Sequence, residues 1–304
     1  MTTLIFETLH GSRAYGLARE GSDTDLKGVV IGPPSWYFGL APAPEQVELS
    51  ADHVRYELRK ALRLAAASNP SILEVLFAHP DDHRVVTEAG ERLLAARSLM
   101  LSKQVADTFG GYALSQLGRI QRHRRWLLEP PKEAPTRARF DLPERTVIPK
   151  DQLGAAEALM ADGRVQEAEL TPNFLAILDR ERRYRAARKE WSQYQHWLKH
   201  RNERRAALEA KHGYDTKHAM HLVRLCRMAV EILETGEVKV RRDDREALLA
   251  VRDGALSYDA LIEEAERLKA QIAEAKRRST LPDAPDEAAL DALAVTLIEA
   301  ALRS

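Results

Sequence analysis

At 304 residues, 44% of them hydrophobic, the chain can bury a substantial core and has room for about two domains. Its 46 basic and 46 acidic residues cancel, which excludes a uniformly basic or acidic chain and leaves the distribution of charge along the sequence to be read. A lone cysteine, Cys226, excludes an internal disulfide and reads as a packed core thiol; with no membrane-length apolar run and no signal-peptide layout, a soluble, cytoplasmic protein is expected.

In chain order, TLIFETL predicts a short strand, GSRAYGLA a turn that opens a short helix, and DLKGVVIG a second, buried strand. Residues 33–50, PPSWYFGLAPAPEQVELS, are Pro-rich and predict an irregular surface loop. ADHVRYEL predicts a third strand that passes into the helix RKALRLAAAS. After Asn69-Pro70, the apolar residues Ile72, Leu73, Val75, Leu76 and Phe77 predict another buried helix. Beyond residue 88 the helical period dominates, first as one broken or two consecutive helices and then as a Pro- and Arg-rich linker over 130–150. Further helices are predicted at about 151–162, 172–211, 215–235, 243–252, 258–278 and 286–302. In the last, Leu290, Leu293, Ala294, Leu297 and Ala301 form one apolar stripe, with Asp286 as the N-cap. The expected class is α+β: a small N-terminal unit over residues 1–80 carrying a mostly helical region over 81–304.

The segment GSRAYGLAREGSDTDLKGVVIG carries the chemistry. Carboxylates at i and i+2 on a strand point to one face, so Asp23 and Asp25 are expected to crowd their charges together. Such crowding is costly unless a cation lies between them, which makes both candidate ligands for Mg²⁺, with Mn²⁺ as the alternative. A strand ending in Gly-Ser at the start of a helix offers N–H groups and a hydroxyl to a phosphate. Gly11 lets the backbone approach closely, and Ser12 can donate to a phosphate oxygen. A third carboxylate on a neighbouring strand would complete a two-metal site. Asp52, at the start of the third strand, is preferred to Glu57, which falls where the next helix begins.

Gly11-Ser12, a ten-residue gap and Asp23-Thr24-Asp25-Leu26 resemble the GS…DxD signature of the DNA polymerase β nucleotidyltransferase superfamily. On a longer reading, GSRAYGLAREGSDTDLKGV, YELRKALRLAAASNPSILEVLF, GYALSQLGRI and GYDTKHAMHLVRLCRMA resemble the predicted nucleotidyltransferases associated with RNA ligases. The resemblance implies a small mixed-sheet catalytic core, Mg²⁺, an NTP donor, a helical C-terminal part and a functional link to an RNA ligase. It carries Asp23 and Asp25 over as metal ligands, and Gly11 and Ser12 as the triphosphate-binding turn. The third acid, whose position varies across the superfamily, stays between Asp52 and Glu57. The resemblance also places Tyr214, Lys217 and His218 over the nucleotide, Lys217 neutralising phosphate and Tyr214 stacking on base or sugar. The plain alternative is that Asp215 or Thr216 caps a helix and His218 is a core or surface histidine. Lys27, Lys60 and Asn69 read as structural or solvated.

Charge is concentrated in two places. Residues 119–139 hold seven Lys/Arg against two acids, and residues 180–205 hold ten against three. Both are interleaved with rings: His123 and Trp126 in the first, Tyr184, Trp191, Tyr194 and Trp197 in the second. Basic side chains beside aromatics suit a nucleic-acid backbone with unstacked bases; the alternative is a solvated helix face with its rings in the core. His196 and His200, four apart, have no third ligand in the sequence and are not read as a zinc pair. The expected function is Mg²⁺-dependent transfer of NMP from an NTP to an acceptor hydroxyl, with an RNA end as the leading acceptor. Its rivals are transfer to a protein side chain or small molecule, and a non-catalytic nucleotide-binding module.

Overall fold

A computed structural model gives the fold and describes residues 2–145, 154 and 172–303. Its strands are β1 (Thr3–His10), β2 (Asp25–Ile31), β3 (Gln46–Ser50), β4 (His53–Glu57) and β5 (His83–Val86). They form one mixed sheet in the order β3-β4-β2-β1-β5, parallel between β2 and β4 and antiparallel elsewhere. β1 and β2 lie inside the sheet, and Ile5, Phe6, Val29, Val30 and Ile31 are all buried, as strands covered on both faces require.

The helices are α1 (Gly11–Ala14), α2 (Ser35–Phe38), α3 (Leu58–Ala66), α4 (Pro70–Leu76), α5 (Glu88–Ala95) and α6 (Val105–Leu128), then α7 (Pro172–His200) and α8 (Glu203–His212). α9 (Thr216–Thr235), α10 (Arg245–Arg252), α11 (Tyr258–Arg278) and α12 (Glu287–Arg303) complete them. Their ends follow local chemistry. Asn69 accepts from Ser71 N and Ile72 N at the start of α4, and Asp286 Oδ1 accepts from Ala289 N at 3.0 Å at the start of α12.

The structure corrects the sequence reading in three places. Residues 33–50 are not all loop, because they contain α2 and the edge strand β3, whose short polar run gave no apolar signal. The sheet also reaches beyond residue 80: β5 is four residues long and half polar, too little for a pattern. The helix expected over 172–211 breaks after His200, where Asn202 Oδ1 accepts from Arg205 N at 3.3 Å and caps α8. The helix expected at 151–162 lies outside the described residues except at Gly154, as does 146–150 of the linker.

Two compact units result, Met1–Gln121 with Leu208–Ser304, and Arg122–Ala207. In the first, helices from both ends of the chain share one core with the sheet, including Phe6, Val29, Leu58, Leu73, Phe109, Val223 and Met228. Within that core lies a charged group. Glu74 of α4 accepts from Arg224 Nη1 of α9 at 2.5 Å and from Tyr15 Oη at 2.5 Å, and the guanidinium lies 3.8 Å from the Tyr15 ring centre. Burial pushes the Glu74 carboxyl up, but Arg224 first, with His10 and the Tyr15 hydroxyl, together outweigh it and hold it below the usual range. Tyr15 follows α1, so this network ties the Gly-Ser turn to both helices.

In the second unit the rings pack on one another. Trp126 stands 5.6 Å from Tyr194 and 5.5 Å from Trp197, centre to centre, and Trp126 and Tyr194 are buried.

Candidate active site

The site is built where β1 hands the chain to α1. His10, the last residue of β1, pairs with Asp25, the first of β2, and the chain turns immediately at Gly11. Gly11 has φ +66°, and a Cβ there would lie 2.2 Å from Asp25 Oδ2. Glycine is therefore required twice, for its left-handed backbone and for the close approach of the Asp25 carboxylate. Ser12 follows, half-buried, in the first turn of α1.

Asp23 sits differently from the expectation. β2 begins at Asp25, so Asp23 lies in the preceding loop and is exposed, and the i, i+2 rule for strand faces does not apply to the pair. The loop is held by Arg13, whose guanidinium donates to Ser22 O at 2.9 Å and Asp23 O at 3.2 Å. Asp52 lies in the turn between β3 and β4, one residue before β4, and its carbonyl accepts from Leu26 N at 2.8 Å. The parallel register, Leu26 beside His53, thus brings Asp52 alongside Asp25.

The consequence is electrostatic. Burial first, then the charges of Asp52 and Asp23, push the Asp25 carboxyl above the usual range, while Lys27 and Lys217 oppose them. Among the described residues no group of three or more His, Cys, Asp or Glu side chains could hold a metal ion by itself. The acids are coupled by charge without forming a protein-only cage. That donor set, oxygen-only and crowded with like charge, fits Mg²⁺, which is held by one or two carboxylates and takes further oxygens from a substrate's phosphates.

Residues 1–128 match RlaP, the RNA repair pathway DNA polymerase beta family. The matched RlaP span contains the whole sheet, the Gly11–Ser12 turn and Asp23, Asp25 and Asp52. The chain is also similar to Uncharacterized protein YcgL of Bacillus subtilis (strain 168), 34% identical over 77 residues, 24% of this chain and 30% of that protein. The chain thus matches about a third of that relative's length. No solved structure matches the chain.

Within the RlaP span, Glu57 is a correction. It is buried at the end of β4, N-caps α3 by accepting from Arg59 N at 2.9 Å and Lys60 N at 3.2 Å, and accepts from Tyr37 Oη at 3.2 Å. Its Oε2 is committed to the helix cap, and its Oε1 to Tyr37 and the Arg59 side chain. Beyond the RlaP span, Tyr214 is also a correction: it is 1% exposed, and its hydroxyl donates to Leu256 O at 2.8 Å, so its ring has no face left for a base. Asp215 is the N-cap of α9, its Oδ1 accepting from His218 N at 3.0 Å, and His218 is buried with Nδ1 3.0 Å from Asp215 Oδ2. Of this segment, the half-buried Lys217 is the residue whose charge reaches Asp25.

Two neighbours were not placed in the site by the sequence: Lys27, read there as structural or solvated, and His10, which it did not single out. Lys27 follows Asp25 by two on the same strand, so it shares that face, and its Nζ lies 3.3 Å from Tyr56 Oη. The i+2 spacing was the available signal. His10 is buried directly before Gly11, and burial drives its imidazole down to about 4, so it is neutral at pH 7.

A first prediction concerns charge crowding. Because the folded pKa of Asp25 is raised, its ionisation costs stability above that pKa, and the cost disappears as pH falls below the ordinary Asp value near 4. Asp52→Asn should therefore raise the Tm at pH 7–8 by an amount worth less than about 1 kcal/mol, the gain vanishing near pH 3. Thermal unfolding across pH checks this, and an Asp52→Asn protein less stable than wild type at pH 8 contradicts it.

The basic segments lie largely in the second unit. There, Trp126 and Tyr194 are core residues, which corrects their reading as stacking platforms; Tyr184 and Trp191 stay half-buried. Several cations are paired, Arg137 with Glu181, Arg125 with Glu190 and Arg183 with Asp179. Against the acids of 180–205, ten Lys/Arg to three, a surplus of positive charge remains. The rings of His196 and His200 are 4.4 Å apart and exposed. Among the described residues no helix is long and apolar enough to cross a membrane.

Proposed function

We propose that this protein transfers NMP from an NTP to an acceptor hydroxyl, and that the acceptor is an RNA end. The observation that carries the reading is the Asp25 carboxylate seated against Gly11 and crowded by Asp52 and Asp23, within the span similar to an RNA repair family. Asp23, Asp25 and Asp52 would hold Mg²⁺, or Mn²⁺ in its place, and the ion would neutralise phosphate charge when bound. The Gly11–Ser12 turn binds the triphosphate through its N–H groups and the Ser12 hydroxyl. Lys217 and Lys27 offset its charge. Asp52 orients the acceptor hydroxyl and takes its proton. The hydroxyl oxygen then bonds to the α-phosphorus as the bond to the bridging oxygen breaks, and pyrophosphate leaves. Catalysis is mostly positioning and charge stabilisation.

The RNA acceptor is supported by the cationic surplus of 119–139 and 180–205 and by the family match. On this reading the protein would act on RNA ends alongside an RNA ligase, in the cytoplasm, and the RNA repair family match is what supports it. The rival is transfer to a protein side chain, favoured by the burial of Trp126 and Tyr194, which withdraws two rings from any base-stacking surface.

The test uses each of the four α-³²P NTPs with Mg²⁺ and a mixture of small RNAs, wild type against Asp23→Ala/Asp25→Ala. Label in RNA with wild type alone is the expected result. Label on protein moves the acceptor to a side chain, and label nowhere sinks the transfer reading.

A further inference from the structure

Outside the acidic group, three cations gather where α10 ends. Arg19 opens the tight turn leading to Asp23, with Arg19 N donating to Ser22 Oγ at 2.9 Å and Ser22 N to Arg19 O at 3.0 Å. Its guanidinium reaches Asp253 Oδ2 at 2.6 Å. Arg252, the last residue of α10, is half-buried, and its guanidinium is assigned no hydrogen bond or ion pair among the described residues. Burial first, and then the like charge of Arg19, push its pKa down, with Asp253 opposing. The charge of Lys211 also acts on Asp253. One carboxylate therefore serves three cations.

A cation at a helix C-terminus is ordinarily explained by the helix dipole, at a few tenths of a kcal/mol. That does not account for a half-buried guanidinium held against the like charge of Arg19, with one carboxylate, Asp253, acting on both. Planar guanidiniums match the oxygens of a phosphate, which could be shared by both. Their place in the chain also matters. Arg252 O accepts from Thr216 Oγ1 at 2.6 Å, and Thr216 precedes Lys217, whose charge acts on Asp25. Arg19 is one tight turn from Asp23. The cations flank the acidic group, where a cationic small-molecule acceptor would be repelled and a phosphodiester attracted.

We propose that Arg252 and Arg19, assisted by Lys211, form a subsite for a backbone phosphate of the acceptor strand, flanking the Asp23–Asp25 group. The assignment of that phosphate to an acceptor rests on the transfer reading; the phosphate chemistry stands on the cations themselves.

Fluorescence anisotropy of a labelled single-stranded RNA, titrated over a salt series, tests it. Arg252→Ala should weaken binding about tenfold and lower the salt slope by about one, with thermal unfolding unchanged. Arg252→Lys should restore the slope, since one charge remains, while losing the two-point contact. Competition with inorganic triphosphate separates the sources: loss confined to triphosphate assigns the cations to the nucleotide and overturns the acceptor subsite. Wild type that binds no RNA, or Arg252→Ala with unchanged affinity and slope, overturns it as well. Arg252-dependent RNA binding without any NMP transfer would sink the transfer reading and leave the phosphate subsite standing.

Discussion

Arg224→Met should cost about 3–5 kcal/mol of unfolding free energy, because it leaves the Glu74 carboxylate buried without its cation. Arg224 is 4% and Glu74 3% exposed, so water cannot replace the lost partner. Glu74→Leu together with Arg224→Met should recover much of that loss, since an apolar replacement of both partners removes the uncompensated charge. Tyr15→Phe removes a single donor to the same carboxylate and should cost about 1–2 kcal/mol. The pH dependence has a definite sign. The folded Glu74 carboxyl titrates below the usual range, so its stabilisation is present above the ordinary Glu value near 4.3 and is lost as pH falls through the folded pKa. The difference between wild type and Arg224→Met should accordingly be wide at pH 7 and shrink in acid. Urea unfolding of the single and double variants supplies the cycle, and a loss below 1 kcal/mol for Arg224→Met would contradict the network's role.

Gly11→Ala should reduce NMP transfer about 10²–10³-fold, as much as is expected of Asp25→Asn. Two effects combine. Alanine at φ +66° is strained by about 1–2 kcal/mol. Its Cβ, built 2.2 Å from Asp25 Oδ2, cannot coexist with the present carboxylate position. Either the turn or the carboxylate must move, and both are assigned to the reacting groups. Ser12→Ala, by contrast, removes one hydroxyl without a clash and should lower transfer about tenfold. Initial rates with saturating RNA and melting curves separate the two variants. Wild-type transfer by Gly11→Ala would remove the Asp25–Gly11 contact from the mechanism.

These expectations draw unequally on sequence and structure. The sequence alone determined what depends on neighbours in the chain. Helix periods at 258–278 and 286–302, the Asp286 cap, the first two strands and the Gly-Ser turn were all legible, because periodicity, capping and glycine backbone freedom act within a few residues. Gly11 and Asp25 were legible as a pair because the polymerase-like spacing joins them. Tertiary structure decided everything that needs a partner far along the chain. Asp52 meets Asp25 through the parallel register of β2 and β4, and no local pattern reports a register. Asp23 left the strand face because β2 starts two residues later, a boundary that alternation alone cannot set. Tyr214 turned from a stacking ring into a core residue because the Leu256 carbonyl takes its hydroxyl, and Glu57 from a reserve acid into a helix cap. Arg224 and Glu74, 150 residues apart, fall in the sequence within two separately predicted helices, with nothing to link them. Only folding places them together away from water, where a charge must find its partner or destabilise the chain.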